Sequence, residues 1–294
     1  MTGSSPLRNR TVVVTGAARG LGAALAREVA RRGARPALLG HEKDLLEVAA
    51  ARMPTPALAV EVDVTDLPAL RAAAHEVRRR LGSPSVVIAN AGLALGGPLD
   101  ATAPADWRRV IDVNVTGSAL TARVFLPDLY ATAGYYLQIA SLASLGAAPL
   151  MSAYCASKAG AEAFAHSLRA EVAHRGVAVG IGYLNWTDTD MVRDADRHAV
   201  LRELRAGMPA PARRVARPDT VAARLVDGVE RRRTAVYAPP WLRLVQPVRA
   251  ALPPVVLRVS RRDLRRMEAE EPLVSTGLLG AGGEADRAAT GRDS

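Results

Sequence analysis

Apolar residues follow two rhythms between Arg10 and Pro239. Short unbroken runs lie at 11–14, 36–39, 57–60, 86–89, 135–139 and 177–181. Their continuous apolar character suits strands buried on both faces, as in a parallel sheet covered by helices. Longer amphipathic stretches lie between them and predict helices over 21–32, 67–81, 106–130 and 152–174. Strands alternating with helices imply an α/β, doubly wound parallel sheet with right-handed crossovers. A last helix is predicted over 218–233, with Pro218 near its start, and a last strand over 234–237. No internal repeat interrupts this order.

After Pro239-Pro240 the pattern changes. Pro247, Pro253 and Pro254 are expected to break an apolar, arginine-rich stretch into short pieces. From Glu271 the chain turns to Gly, Ala and Ser with scattered charge, and disorder is expected there. The predicted division is a flexible 1–7, one α/β domain over 8–240, a basic apolar-interleaved segment over 241–270 and a disordered tail over 271–294.

Charge sharpens this division. The net charge is +10, and between Arg231 and Arg266 ten arginines meet one acid, Asp263. The remainder is near neutral, so the domain lacks the basic surface of a nucleic-acid binder. Cys155 is the sole cysteine, which excludes an internal disulfide and suits a reducing, cytoplasmic setting. The N-terminus has no signal-like apolar stretch, and no apolar run reaches the roughly 18 residues of a membrane span. His41, His75, His166, His174 and His198 have no metal-ligand spacing, so no metal is expected.

The candidate chemistry begins at the first strand–helix junction. Thr15, Gly16, Ala17, Ala18, Arg19, Gly20, Leu21 and Gly22 form a glycine-rich turn that opens a helix. Such a turn brings backbone close to a pyrophosphate and offers it the free N–H groups of the helix N-terminus. Further along come Asp63-Val64, Asn90-Ala91-Gly92, Asn114-Val115-Thr116-Gly117, Ser141 and Tyr154-Cys155-Ala156-Ser157-Lys158. In this order and spacing, over about 7–239, the set resembles the short-chain dehydrogenase/reductase family.

That resemblance implies a Rossmann-like single domain that moves a hydride between a nicotinamide cofactor and an alcohol or carbonyl. Tyr154 and Lys158 lie four apart and share a helix face. A free tyrosine titrates at about 10 and is a poor base at neutral pH, but a nearby ammonium favours the phenolate. Tyr154 would then act as general acid/base, and Ser141 would hydrogen-bond the substrate oxygen. By resemblance, Asn114 would support a water-linked proton path and Lys158 would hold the nicotinamide ribose. Only two of the 39 basic residues are lysines, Lys43 and Lys158, which marks Lys158 as a position that arginine does not serve.

The second strand ends at Gly40-His41, without the acid that favours NAD, and Arg19 suits a 2′-phosphate. NADP(H) is therefore the expected cofactor, with NAD(H) possible because Glu42 is near in sequence. Thr187 and Thr189 are expected to contact the nicotinamide and phosphates, although Leu184-Asn185 replaces the family's Pro-Gly before them. Leu93, Leu95, Leu142, Leu145, Leu150, Met151 and Trp186 suggest an apolar substrate mouth. Family members commonly assemble as homodimers or homotetramers. The basic segment over 241–267, with Trp241 and seven arginines, suits peripheral contact with an anionic membrane, a hydrophobic flap near the substrate mouth, or a basic helix packed on the domain or at a subunit contact. A nucleotide sensor or membrane-associated scaffold without catalysis is the alternative on the same fold.

Overall fold

The computed structural model describes residues 4–291. The first apolar run forms β1 (Thr11–Thr15), and the glycine turn leads into α1 (Gly20–Arg31), which buries Leu21, Leu25 and Val29. The alternation continues through β2 (Arg35–Gly40), α2 (Lys43–Ala51), β3 (Leu58–Glu61) and α3 (Leu67–Leu81). Asp66 starts α3 by accepting the Ala69 N–H at 2.9 Å, a side-chain N-cap. Next come β4 (Pro84–Ala89), a two-residue β5 (Leu95–Gly96) and α4 (Pro104–Ile111).

The single helix expected over 106–130 is two. One π-helical turn, Asp112–Thr116, separates α4 from α5 (Gly117–Thr132). Such a turn adds one residue to the ladder and rotates the helix beyond it. The domain then runs through β6 (Tyr135–Ile139), α6 (Ser152–Val172), β7 (Ala178–Leu184), α7 (Asp190–Ala195), α8 (Ala199–Ala206), α9 (Ala210–Arg213), α10 (Pro218–Glu230) and β8 (Ala235–Ala238).

Seven strands form one parallel sheet in the order β3-β2-β1-β4-β6-β7-β8. The side chains of β1 alternate between its two faces. Val13 joins Phe125, Tyr136 and Leu168 on the face beneath α3, α5 and α6, whereas Val12 and Val14 join Leu25, Leu38 and Leu225 beneath α1 and α10. The chain winds outward from β1 to β3, then returns to place β4 on the other side of β1. That reversal leaves a crevice between the C-terminal ends of β1 and β4, where doubly wound sheets bind ligands.

Both ends of the chain depart from expectation. Leu7 is 4% exposed and packs with Val12 and Leu25, which ties down residues expected to be flexible; the rest of that expectation, Met1–Gly3, lies outside the described residues. Beyond β8 come α11 (Leu242–Val245), a 3₁₀ turn (Gln246–Ala251) and α12 (Leu252–Glu270). Pro253 and Pro254 do not break α12 because they occupy its first turn, where an N–H has no intrahelical partner. The tail expected to be disordered forms β9 (Gly277–Leu278) and α13 (Gly280–Thr290). Leu278 pairs antiparallel with Leu95, and Leu278 and Leu279 are almost wholly buried, which fixes an otherwise polar segment. The last expected tail residues, 292–294, lie outside the described residues.

Candidate active site

A cavity of about 760 Å³ opens above the C-terminal ends of β1, β4, β6 and β7. The glycine turn lines one end. Gly16 (φ +62°) and Gly20 (φ +54°) take left-handed backbone conformations, and a Cβ on Gly22 would lie 2.0 Å from the Gly16 carbonyl oxygen. Glycine is required there. The turn is bolted to the loop after β4. Asn90 Nδ2 donates to the carbonyls of Thr15 (2.9 Å) and Gly16 (3.2 Å), while Thr15 Oγ1 accepts the N–H groups of Asn90 and Ala91 at 3.0 Å. No side chain caps α1, and its first turn holds no acid. Those free N–H groups, with no Cβ in the way, fit the pyrophosphate of a dinucleotide.

Beside this turn lie Gly40 and His41, which line the cavity, with Asp63 just behind. Asp63 Oδ1 accepts from the Thr65 N–H and hydroxyl, both at 2.8 Å, and its Oδ2 accepts from Arg109 at 2.8 Å. Burial pushes this carboxyl up, but the Thr65 and Arg109 hydrogen bonds outweigh it and hold it below the ordinary range. Val64 fills the space a Cβ on Gly117 would need. Arg19 is already engaged: its guanidinium forks onto Glu42 and also reaches Asp190 at 3.3 Å.

The other end holds Ser141, Tyr154 and Lys158. Lys158 Nζ lies 5.7 Å from the centre of the Tyr154 ring and donates to the Ile139 carbonyl at 3.3 Å. Ser141 starts a 3₁₀ turn over Leu142–Ser144 and is fixed reciprocally. Its N–H donates to Ser144 Oγ, and its Oγ accepts the Ala143 N–H, both at 3.1 Å. Burial pushes the Tyr154 hydroxyl up to about 12, and a hydrogen bond with Ser141 opposes this. Burial likewise pulls Lys158 down to about 8. Burial is the largest influence on both groups, raising the tyrosine and lowering the lysine.

Asn114 sits in the π-helical turn. Its Nδ2 donates to the Leu93 carbonyl (2.9 Å) and Ser157 Oγ (2.8 Å), and its Oδ1 accepts the Leu93 N–H (2.7 Å). The departure at 184–185 is accommodated by Asn185, whose Nδ2 donates to the carbonyls of Ala212 (2.9 Å) and Arg214 (3.3 Å). Thr187 bonds back to the Asn185 carbonyl, and Thr189 packs against Gly20. Ala18, Leu21, Gly92, Thr187 and Thr189 line the cavity with the residues already named, whereas Thr15, Asp63 and Asn114 stand behind its wall.

The apolar mouth is narrower than expected. Leu93, Leu142, Met151 and Trp186 line the cavity, but Leu95, Leu145 and Leu150 pack elsewhere. The flap reading puts the 241–267 segment near the mouth, and Val255, Val256 and Val259 of α12 form part of the rim. Sequence reasoning missed Asp286 of α13, which also lines the cavity, and Arg249. Arg249 donates to buried Glu162 on α6 at 2.8 and 3.0 Å and to the Ser144 carbonyl at 2.8 Å, so it braces the Ser141 turn against the helix of Tyr154. Nothing in local periodicity marks these contacts, which link distant parts of the chain.

The short chain dehydrogenase family model matches residues 10–199. The chain belongs to this family. It is an oxidoreductase of the kind that acts on CH–OH groups with a nicotinamide cofactor. This short-chain dehydrogenase is 32% identical over 220 residues to an acetoacetyl-CoA reductase of Synechocystis sp., covering 74% of this chain and 86% of the relative. It is 35% identical over 219 residues to a cis-4-hydroxycyclohexanecarboxylate dehydrogenase of Sinomonas cyclohexanicum, covering 72% and 86% respectively. The fold matches that of an L-sorbose reductase from Gluconobacter frateurii complexed with NADPH and L-sorbose. The TM-score is 0.72 at 24% identity, over 80% of this chain and 97% of that one.

Replacing Asn114 by Ala in this short-chain dehydrogenase leaves three buried groups, the Leu93 N–H and carbonyl and the Ser157 hydroxyl, without their partner. The expected loss is about 3 kcal/mol of stability, read from the midpoint of urea unfolding. A midpoint equal to the parent's would show that these bonds do not hold the site together.

Proposed function

We propose that the protein interconverts an apolar alcohol and its ketone or aldehyde, with Tyr154 as the proton donor and acceptor. The observation that carries this reading is the convergence of Ser141, Tyr154 and Lys158 at the apolar end of a cavity whose other end is the glycine turn. The bound nicotinamide supplies or receives the hydride. In reduction, Tyr154 gives its proton to the substrate oxygen. Burial keeps the hydroxyl protonated at neutral pH, the form this step needs. Ser141 hydrogen-bonds that same oxygen and stabilises its developing charge. Lys158 stabilises the phenolate left behind, provided that its ammonium is charged.

Tyr154→Phe is expected to lower turnover on apolar carbonyls by roughly 10²–10⁴-fold while nucleotide affinity, read by fluorescence titration, stays unchanged. Retained turnover would remove Tyr154 from the reaction. Lys158 is charged below about 8 and neutral above it. The kcat/KM for the nucleotide in carbonyl reduction, which reports the nucleotide-free protein, should therefore be flat below that pH and fall above it. A rise through pH 8 would contradict the proposed role of the ammonium.

NADP(H) is the proposed cofactor. The end of β2 lacks an acid, and Arg19 is the cation beside it. A 2′-phosphate must draw Arg19 away from Glu42, so Glu42→Gln is expected to raise the preference for NADPH over NADH by roughly tenfold, the worth of one charge-assisted hydrogen bond. Arg19→Ala should lower it. Titration of both variants with both nucleotides checks this, and an unchanged preference in both would point away from the 2′-phosphate reading.

We also propose peripheral contact with an anionic membrane. Leu244, Val248, Val255, Leu257 and Val259 are 53–74% exposed. Exposed Arg243, Arg258, Arg261, Arg262 and Arg265 lie among them with no carboxylate partner among the described residues. That mixture suits an interface of anionic headgroups over acyl chains. No described helix is long and apolar enough to cross a membrane. The protein is expected to float with phosphatidylglycerol vesicles and not with phosphatidylcholine vesicles, and Leu244→Glu/Leu257→Glu should abolish flotation. A parent that floats with neither would end this proposal.

A further inference from the structure

We infer that α13, outside the region matched by the family, is part of the cofactor site, where it roofs the adenosine half and Asp286 acts as a positioning residue. The inference rests on the nucleotide reading above and adds where that nucleotide's recognition is completed.

Asp286 is 1% exposed, and a buried carboxylate needs partners. Its partners lie far away in sequence. Arg109 forks onto it with Nε at 2.9 Å and Nη2 at 2.6 Å, and His41 Nε2 lies 3.5 Å from its Oδ1. Arg109, itself 4% exposed, also donates to Asp63 Oδ2 and Thr65 Oγ1, each at 2.8 Å. His41 follows β2, and Asp63 follows β3. In doubly wound sheets these strand ends hold the adenosine of a dinucleotide, and an acid there normally receives the ribose hydroxyl. This chain has Gly40 at that position. Asp286 of α13 enters the same corner behind Gly40, where it bonds Arg109 and lies 3.5 Å from His41.

The helix is seated firmly over that corner. Its lead-in strand β9 pairs with β5, and the Gly280 N–H donates to Asp194 Oδ2 on α7 at 2.7 Å. Gly282, Gly283, Ala285 and Asp286 line the same cavity as Gly16 and Gly40. Gly283 has no room for a Cβ against Leu278, whereas Gly282 faces open space, so the helix presents bare backbone to the cavity. Two carboxylates, Asp63 and Asp286, engage Arg109, so its charge is already met within the corner. Such a corner suits an uncharged adenine and ribose better than a second pyrophosphate.

The test uses the full-length protein and two variants, with thermal unfolding as the folding control. Adenosine 5′-diphosphoribose and reduced nicotinamide mononucleotide probe the two halves of the cofactor, each by competition against NADPH fluorescence. Asp286→Asn is expected to weaken adenosine diphosphoribose roughly tenfold, by loss of a charge-assisted contact, while the mononucleotide affinity holds. In turnover the KM for NADPH should rise with kcat unchanged, a split that general loosening of the fold does not produce. Gly282→Leu keeps every ion pair and suits a helix better than glycine, so it remains informative if Asp286→Asn fails to fold. It should also block the adenosine probe. Parent-like affinity for adenosine diphosphoribose in a folded Asp286→Asn or Gly282→Leu overturns the inference, as does equal weakening of both probes. A parent that binds neither NADPH nor NADH defeats the nucleotide reading and this inference with it. Parent binding with unaltered variants defeats the inference alone.

Discussion

Asn114 makes its three side-chain hydrogen bonds at 1% exposure, and they join parts of the crevice that share no backbone pairing. Two fix the loop after β4, which carries Gly92 and Leu93. The third fixes Ser157, which sits between Tyr154 and Lys158 on α6. The π-helical turn makes this possible by inserting a residue where α4 would otherwise run straight into α5. A buried amide with both ends satisfied is rigid, since every alternative rotamer strands a donor or an acceptor. Beside the pairing of β1, β4 and β6, one side chain behind the cavity wall therefore ties the loop after β4 to the helix of Tyr154.

Much of this was legible in the sequence, for physical reasons. Strands buried on both faces have to be apolar throughout, so their runs stood out. Glycines that allow no Cβ left their spacing as a record of the turn. The four-residue step from Tyr154 to Lys158 encodes a shared helix face. The π-helical turn was not legible, because one inserted residue scarcely disturbs an amphipathic pattern. Arg109 was not legible either, since an arginine in a helix ordinarily reads as solvated surface. Its burial depends on Asp286, 177 positions away. The order of 277–290 depends similarly on β5, and no window of Gly and Ala announces a distant partner.

The segments after β8 hold the domain at two points. Arg249 braces the reactive end by joining Glu162 to the Ser144 carbonyl. The pairing of β9 with β5 and the seating of α13 close the opposite end. The arginine richness of this region therefore divides in two. Arg249 is taken up by internal contacts, and the arginines along α12 face solvent beside exposed Leu257 and Val259. A single excess of positive charge thus contains both a structural and a surface component.

The pairing of Gly96 with Thr276 spans 180 positions, and this orders events during synthesis. Chains emerge from the ribosome N-terminus first, and domains fold as units while they do so. All seven strands of the main sheet are available by Ala238, so the sheet and the glycine turn can assemble while the last segments are still being made. Contacts between distant positions form late because their loops must first close. Arg109 is then held by Asp63 and Thr65 until Asp286 arrives, and the nascent domain carries an open corner that closes only with α13.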